Sequence, residues 1–336
     1  MSARTTLAVS LGACLLAGCA QSVDKAPGST IRLLQNNSVA ADPLDFSNGQ
    51  VRLRYSWKIP PGTLIRAPLD TSLGIPSIHG QINGQETRLI IDTGNAFPVL
   101  LDASSAAAIG LPTVRGGALK GTGIGGNVDV LLAQYHSLGI LDHTILGKGL
   151  AGIFLHSYRK TFAGLTVNEM QLNLLGLPLL EQFSYVAIDA TRGEVTLAYK
   201  RPFKPTGKTA GFPFTIESGR MWVKIKTADQ TVKAFFDTGC GSGLRISRTT
   251  LDALPKSALQ STRLRKRQAM GVGGVEQEHV GVLKEAMLGS VRMIPLEFDI
   301  SSGSEAILLG WLPFNQSRIT LDFEKKMVWV EPSAAQ

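Results

Sequence analysis

The chain has 336 residues, enough for two domains that each bury a core of their own. Apolar residues make up 44% and charged residues 18%, which excludes a disordered chain. The 36 glycines, scattered between short apolar runs, point to an all-β protein rich in turns, and the net charge of +8 becomes +7 if Arg4 leaves with a leader.

The leader comes first. Arg4 supplies a positive start, and residues 7–16 form an apolar run too short to span a bilayer. Residues 1–18 therefore read as a signal peptide. Leu16-Ala17-Gly18-Cys19 resembles the bacterial lipobox, which implies cleavage before Cys19 and acylation of its thiol. The other reading is an ordinary signal peptide that happens to end in Cys. Ala20, where an Asp would resemble the inner-membrane retention signal, favours an outer-membrane anchor facing the periplasm. With Cys14 removed and Cys19 acylated, Cys240 is left alone, so no disulfide forms within the mature chain. Residues 19–62 are polar, with little periodicity, and read as a tether and lead-in; residues 51–57 alternate enough to suggest a strand.

The body beyond is an internal repeat, divided here into residues 63–203 and 204–336. Residues 77–91 form two alternating segments around Asn83-Gly84, a strong hairpin signal, and run into Asp92-Thr93-Gly94. Residues 221–236 do the same around 228–230 and run into Asp237-Thr238-Gly239. A short helix is expected after each, over 102–109 and 247–254. Gly123-Ile124-Gly125-Gly126 then answers Gly271-Val272-Gly273-Gly274, at an offset of 148. Leu138-Gly139 answers Leu288-Gly289, at an offset of 150. Leu174-Leu175-Gly176 answers Leu308-Leu309-Gly310 at 134, and residues 186–189 answer 319–322 at 133. The fall from 150 to 134 places about sixteen extra residues in the first half, near 149–164. One Asp-Thr-Gly is a weak signal; two, ahead of the same landmarks in the same order, are a strong one.

These residues resemble the retropepsin family of aspartic proteases, in particular bacterial members with two lobes fused in one chain. The resemblance implies two tandem β-barrel lobes related by a pseudo-twofold axis. It also implies a catalytic pair, Asp92 and Asp237, at their junction. Thr93 and Thr238 would hydrogen-bond across that junction, and Gly94 and Gly239 would let the loops turn sharply and aim N–H groups at the carboxylates. The two Gly-rich hairpins would be flaps over an extended peptide. Asn95 and Cys240 stand where the family usually has Ala or Ser, and Pro98 is also unusual, so the two half-sites differ.

The chemistry suits peptide hydrolysis without metal or cofactor. Two carboxylates a few ångströms apart share one proton, so one serves as base and the other as acid; the aspartic-protease dyad is itself the standard instance of this rule. Other signals carry less. Residues 121–126 match G-x-G-x-x-G, but residues 127–132 read as a strand where a dinucleotide site needs a helix. The five histidines show no zinc-ligand spacing, and no Ser lies in a G-x-S-x-G elbow. The basic run over 263–267 reads as a solvated loop, with anionic lipid or an acidic substrate stretch as the alternative; nucleic acid is not an expected partner. The resulting expectation is an aspartic endopeptidase acting on periplasmic or membrane-associated proteins. Its rival is a lipoprotein that uses the same cleft only to hold peptides.

The anchor is testable from sequence alone. Cys19→Ser is expected to abolish metabolic labelling by a radioactive fatty acid, and a variant that still takes up label contradicts the lipobox reading.

Overall fold

The computed structural model describes residues 19–332, apart from 41–44, 48–49, 53–55, 124–125, 163–164, 207–208, 228–229, 262, 272–273 and 302–306. The leader, and the flap-tip residues Ile124, Gly125, Val272 and Gly273, lie outside the described residues.

The fold is mostly β, with two large sheets whose strand orders repeat. In the first half the order is Leu138–Ile140, Ser77–Ile82, Gln85–Asp92, Leu174–Gly176, Val99–Asp102, Gly149–Phe154, Gly126–Tyr135 and Thr113–Gly123. In the second half it is Ala286–Leu288, Arg220–Thr227, Gln230–Phe236, Leu308–Leu309, Leu244–Ser247, Leu296–Ser301, Gly274–Leu283 and Arg265–Gly271. Every strand has its repeat mate at the same place. In both halves the Leu-Leu pair threads parallel to the strand that leads to Asp-Thr-Gly and antiparallel to the strand that follows it.

Local signals explain the elements. Asn83 and Gly84 have φ of 53° and 79°, the pair of positive values that a two-residue hairpin turn of matching twist requires. Asp102 caps Ala103–Ile109 by accepting from Ser105 N at 2.7 Å. Ser247 caps Arg248–Ala253 by accepting from Thr250 N at 3.1 Å. Each cap satisfies an amide that the helix start would leave unpaired.

A six-stranded run joins the halves: Leu64–Pro68, Glu194–Ala198, Tyr185–Asp189, Ser317–Asp322, Met327–Pro332 and Ala210–Glu217. Tyr185 pairs with Asp322, Ala187 with Thr320, and Asp189 with Arg318. The central pair is separated by 133 residues, the same offset that relates the two sequences here. A pseudo-twofold axis therefore passes between Ala187 and Thr320. Tyr185–Asp189 is buried along its whole length: Val186 and Ile188 face the main core, while Tyr185 and Ala187 pack against Phe203. A strand buried on both faces reads as a continuous apolar run.

Two expectations are corrected. The first-half insertion is the hairpin His156–Phe162 and Leu165–Met170, not residues from 149 onward, because Gly149–Phe154 has a repeat mate in Leu296–Ser301. The lead-in also carries more structure than its polar composition suggests. Cys19–Lys25 pairs with the insertion hairpin in a three-stranded sheet. Gly28–Asn36 is a helix that buries Leu34, and Ser38–Val39 runs parallel to the start of Thr113–Gly123. Trp57 stacks on Tyr199 at 4.4 Å. Ile31, Leu34 and Trp57 are too few to show as periodicity, yet they suffice to dock the segment. Of the described residues in the stretch expected as a strand over 51–57, Val51 and Arg52 end the strand Gln50–Arg52, and Trp57 makes an isolated bridge to Leu146.

Ile188 is fully buried in the joining sheet. Ile188→Ala is expected to cost about 2–5 kcal/mol in chemical denaturation while both halves still unfold in one transition. Two separated transitions contradict the shared sheet.

Candidate active site

Each Asp stands at the end of a strand whose last residues turn inward to the core. Leu89, Ile90 and Ile91 lie below Asp92 with essentially no exposure, and Ala234 and Phe236 do the same for Asp237. Phe235, between them in the apolar run, is only half-buried: its ring meets Trp222 edge-on at 6.1 Å and lies under Arg220 at 5.4 Å.

The two loops meet through a reciprocal set of hydrogen bonds. Thr93 Oγ1 donates to Phe236 O at 2.7 Å and accepts from Thr238 N at 3.1 Å. Thr238 Oγ1 donates to Ile91 O at 2.6 Å and accepts from Thr93 N at 3.2 Å. Both threonines are fully buried. Every bond crosses from one half to the other, so the loops are fixed to each other rather than to their own lobes.

This crossing sets the carboxyls side by side, within hydrogen-bonding reach. Gly94 N donates to Asp92 Oδ1 at 2.8 Å, and Gly239 N donates to Asp237 Oδ1 at 2.9 Å. The glycines are needed for a reason other than the expected sharp turn, since neither has a positive φ. A Cβ on Gly94 would lie 2.5 Å from Asp237 Cγ, and one on Gly239 would lie 2.5 Å from Asp92 Cγ. Only a residue without a side chain lets the opposite carboxyl approach.

The electrostatics follow. Burial raises the pKa of Asp92 well above the ordinary carboxylate value, and the charge of Asp237 raises it further. Burial raises Asp237 as well, while its hydrogen bonds from Asp92 and the Gly239 amide favour its charged form. The pair thus holds one proton between two sites, and its titration belongs to both.

The supporting residues explain the departures from the family pattern. Asn95 Oδ1 accepts from Phe97 N at 3.1 Å, and its carbonyl accepts from Leu177 N at 3.1 Å. Pro98 O accepts from Gly176 N at 3.0 Å, where the absent N–H of proline is not needed. A Cβ on Gly176 would collide with Phe97 O, and one on Gly310 with Ser242 O. Cys240 is a free, buried thiol whose pKa is pushed up to about 12, first by burial and then by Asp237. Its carbonyl accepts from Trp311 N at 2.7 Å. Sequence reasoning missed Asn173, which donates to Thr87 Oγ1 at 2.6 Å and Ser105 Oγ at 3.2 Å and accepts from Asp102 N at 3.2 Å. Its one signal was a polar residue directly ahead of Leu174-Leu175-Gly176.

The two stretches expected to act as flaps are paired strands, Thr113–Gly123 with Gly126–Tyr135 and Arg265–Gly271 with Gly274–Leu283. Gly123 pairs with Gly126 and Gly271 with Gly274. Gly121, Thr122, Gly123 and Gly126 therefore lie on paired strands, and a strand follows where a nucleotide loop needs a helix. Among the described residues no cluster of three or more His, Cys, Asp or Glu could hold a metal.

The raised pair makes a stability prediction. A carboxyl whose folded-state pKa lies above its unfolded value keeps a proton that the unfolded chain releases. Its contribution favours folding at acid pH and is lost as pH rises from the ordinary carboxylate value through the raised one. The melting temperature should fall through that window, and Asp92→Asn should flatten the fall and melt higher at neutral pH. A variant that melts lower at neutral pH contradicts the shared proton.

A family model described as aspartyl protease matches residues 78–147. The match takes in Asp92-Thr93-Gly94 and the first flap hairpin. No curated protein matches the chain. The matched segment is thus similar to an aspartyl protease, and the second half repeats its strand order and its Asp-Thr-Gly.

Proposed function

We propose that the protein is an aspartic endopeptidase in which Asp92 and Asp237 act together on an extended peptide segment. The observation that carries this reading is the reciprocal Thr93–Thr238 bonding, which brings two carboxyls into contact at the junction of two repeated halves. A protein that only bound peptides would have no use for two acids that burial makes costly to hold together.

The chemistry follows from one proton on two carboxyls. The ionised member takes a proton from a water as that water attacks the peptide carbonyl carbon. The protonated member gives its proton to the carbonyl oxygen. Collapse of the tetrahedral intermediate breaks the C–N bond: the nitrogen leaves with the proton first taken from water, and one hydroxyl proton returns to the pair as the new carboxyl forms. The fixed loops hold both acids in place, so little reorganisation is needed as charge moves. The substrate backbone pairs with the flap hairpins as added strands, which excludes bulk water from the reacting carbonyl.

The place of action is also part of the proposal. Cleavage before Cys19 and acylation there would anchor the enzyme in the bacterial envelope, facing the periplasm. Its substrates would be periplasmic or membrane-associated proteins with extended segments. Among the described residues no helix is long and apolar enough to cross a membrane, and the anchor needs none.

Asp92→Asn and Asp237→Asn should each lower turnover of a peptide library by about a thousandfold or more, because neither acid can play both roles. The double variant should be no worse than either single one. The pH–rate profile should be bell-shaped, with the acid limb where the pair gains a second proton and the basic limb where it loses the shared one. Substantial turnover by a folded single variant places the catalytic group elsewhere.

A further inference from the structure

The two halves repeat in backbone but not in chemistry beneath the flaps. Leu100 pairs with both Leu174 and Gly152, and Arg245 pairs with both Leu308 and Asp299. Arg245 therefore occupies the place of Leu100, and Asp299 that of Gly152. Four residues before Gly123 and Gly271, Leu119 pairs with Val130 in the first half and Arg267 with Glu278 in the second. Three residues beyond each Asp-Thr-Gly stand Phe97 and Ser242. Five corresponding positions thus change together.

In the first half they make an apolar wall. Leu100 and Val130 belong to one buried cluster, with Ile90, Val128 and Leu174, and Phe97 packs against it. Phe97 and Leu100 fill the space where a side chain on Gly152 would stand.

In the second half the same space holds an ion network. Arg267 Nη1 bonds Glu297 at 2.7 Å, and its Nη2 bonds Asp299 and donates to Ser242 Oγ at 3.3 Å. Arg245 pairs with Glu278 beneath it. The signs are layered. The side chains of Glu278 and Asp299 are fully buried, whereas that of Arg267 is 32% exposed and that of Arg265 70%. Arg263 and Lys266 are exposed beside them. Glu278 and Asp299 lie under the cations, and Glu297, 24% exposed, bridges Arg265 and Arg267; Arg263, Arg265, Lys266 and Arg267 outnumber it at the surface, so the wall shows a positive face. The basic run over 263–267 is this face, and most of it lies on the flap strand Arg265–Gly271 instead of in a loop.

We propose that the cleft is directional: the side under the first flap takes an apolar substrate side chain, and the side under the second takes an acidic one, with Arg267 as the specificity-determining residue. This rests on the peptidase reading for the cleft's use, but not on the rate of turnover. Arg267 joins the loop behind Asp237 to the second flap strand through Ser242, so a guanidinium borders the space between them. A guanidinium fixed from behind by carboxylates is preorganised for a further carboxylate oxygen. Two identical half-sites would let a peptide bind in either direction, and this difference removes the ambiguity.

Binding tests it with turnover removed. The Asp92→Asn protein, otherwise full-length and mature, is titrated with extended peptides that carry Glu or Gln at one position at a time on either side of a central apolar pair. On one side only, the Glu peptide should bind about tenfold tighter than its Gln counterpart, the worth of one charge-assisted hydrogen bond. That preference should fall to about twofold or less in Arg267→Gln, which removes the donor's charge. Should that variant not fold, the exposed Arg265→Gln should still cut the preference by about threefold, because it removes part of the same positive face. Equal affinity for Glu and Gln peptides at every position, no binding of either, or a preference unchanged in these variants overturns the proposal. The wild-type protein separates the two readings. Cleavage without any acidic preference leaves the peptidase standing and overturns directionality. Glu-selective binding without cleavage does the reverse.

Discussion

Four hydrogen bonds between Thr93 and Thr238 and the opposite strands hold the site together, and the rest of the structure is arranged so that they can form. Each is buried, and each exchanges a local partner for one in the other half. A buried hydroxyl without a partner is costly, so neither loop is satisfied unless both are in place. That mutual requirement turns two lobes into one site. The joining sheet, centred on Ala187 and Thr320, brings the lobes to the right distance; the Leu-Leu-Gly strands pin each loop from behind. The carboxyls then have no room to separate, and the two glycines give each the space vacated by a missing side chain. The shared proton is a consequence of that geometry.

Much of this was legible in the chain because a repeat shows its own landmarks. The offset of 145 between the two Asp-Thr-Gly motifs, and of 133 between residues 187 and 320, reappears as spatial symmetry. Turn chemistry at Asn83-Gly84 and the short helix after each Asp-Thr-Gly were equally plain, since each depends on a few neighbouring residues. What was hidden depends on distance. The role of Gly94 became clear only when Asp237 was seen against it. Phe235 looked like its neighbours in an apolar run, yet it faces a side where Trp222 and Arg220 half-cover it. The docking of the lead-in rests on Leu34 and Trp57, single residues within a polar stretch. No pattern of spacing exposes a contact made by one side chain.

The same comparison of halves separates what the fold requires from what this chain has added. Thr, Gly and the Leu-Leu-Gly strands are alike in both halves because the twofold contact needs them twice. Phe97 and Ser242, Leu100 and Arg245, or Gly152 and Asp299 are free to differ, because the strand pairings and bonds described for each lie within its own half. A buried ion network is a poor source of stability compared with packed apolar residues, so its presence in one half alone points to recognition rather than to folding. The insertion hairpin His156–Phe162 with Leu165–Met170 is another one-sided addition, and its partner is the lead-in strand Cys19–Lys25.

The central claim is that two carboxyls, one from each half, titrate as a single unit. Carbon-13 NMR of labelled aspartate side chains reads this directly across the pH range. The account predicts that Asp92 and Asp237 follow the same two widely separated steps, with one proton shared between them. In Asp92→Asn those two steps should be replaced by a single step on Asp237. Two independent titrations near the ordinary carboxylate value, unchanged for Asp237 when Asp92 is replaced, would contradict it.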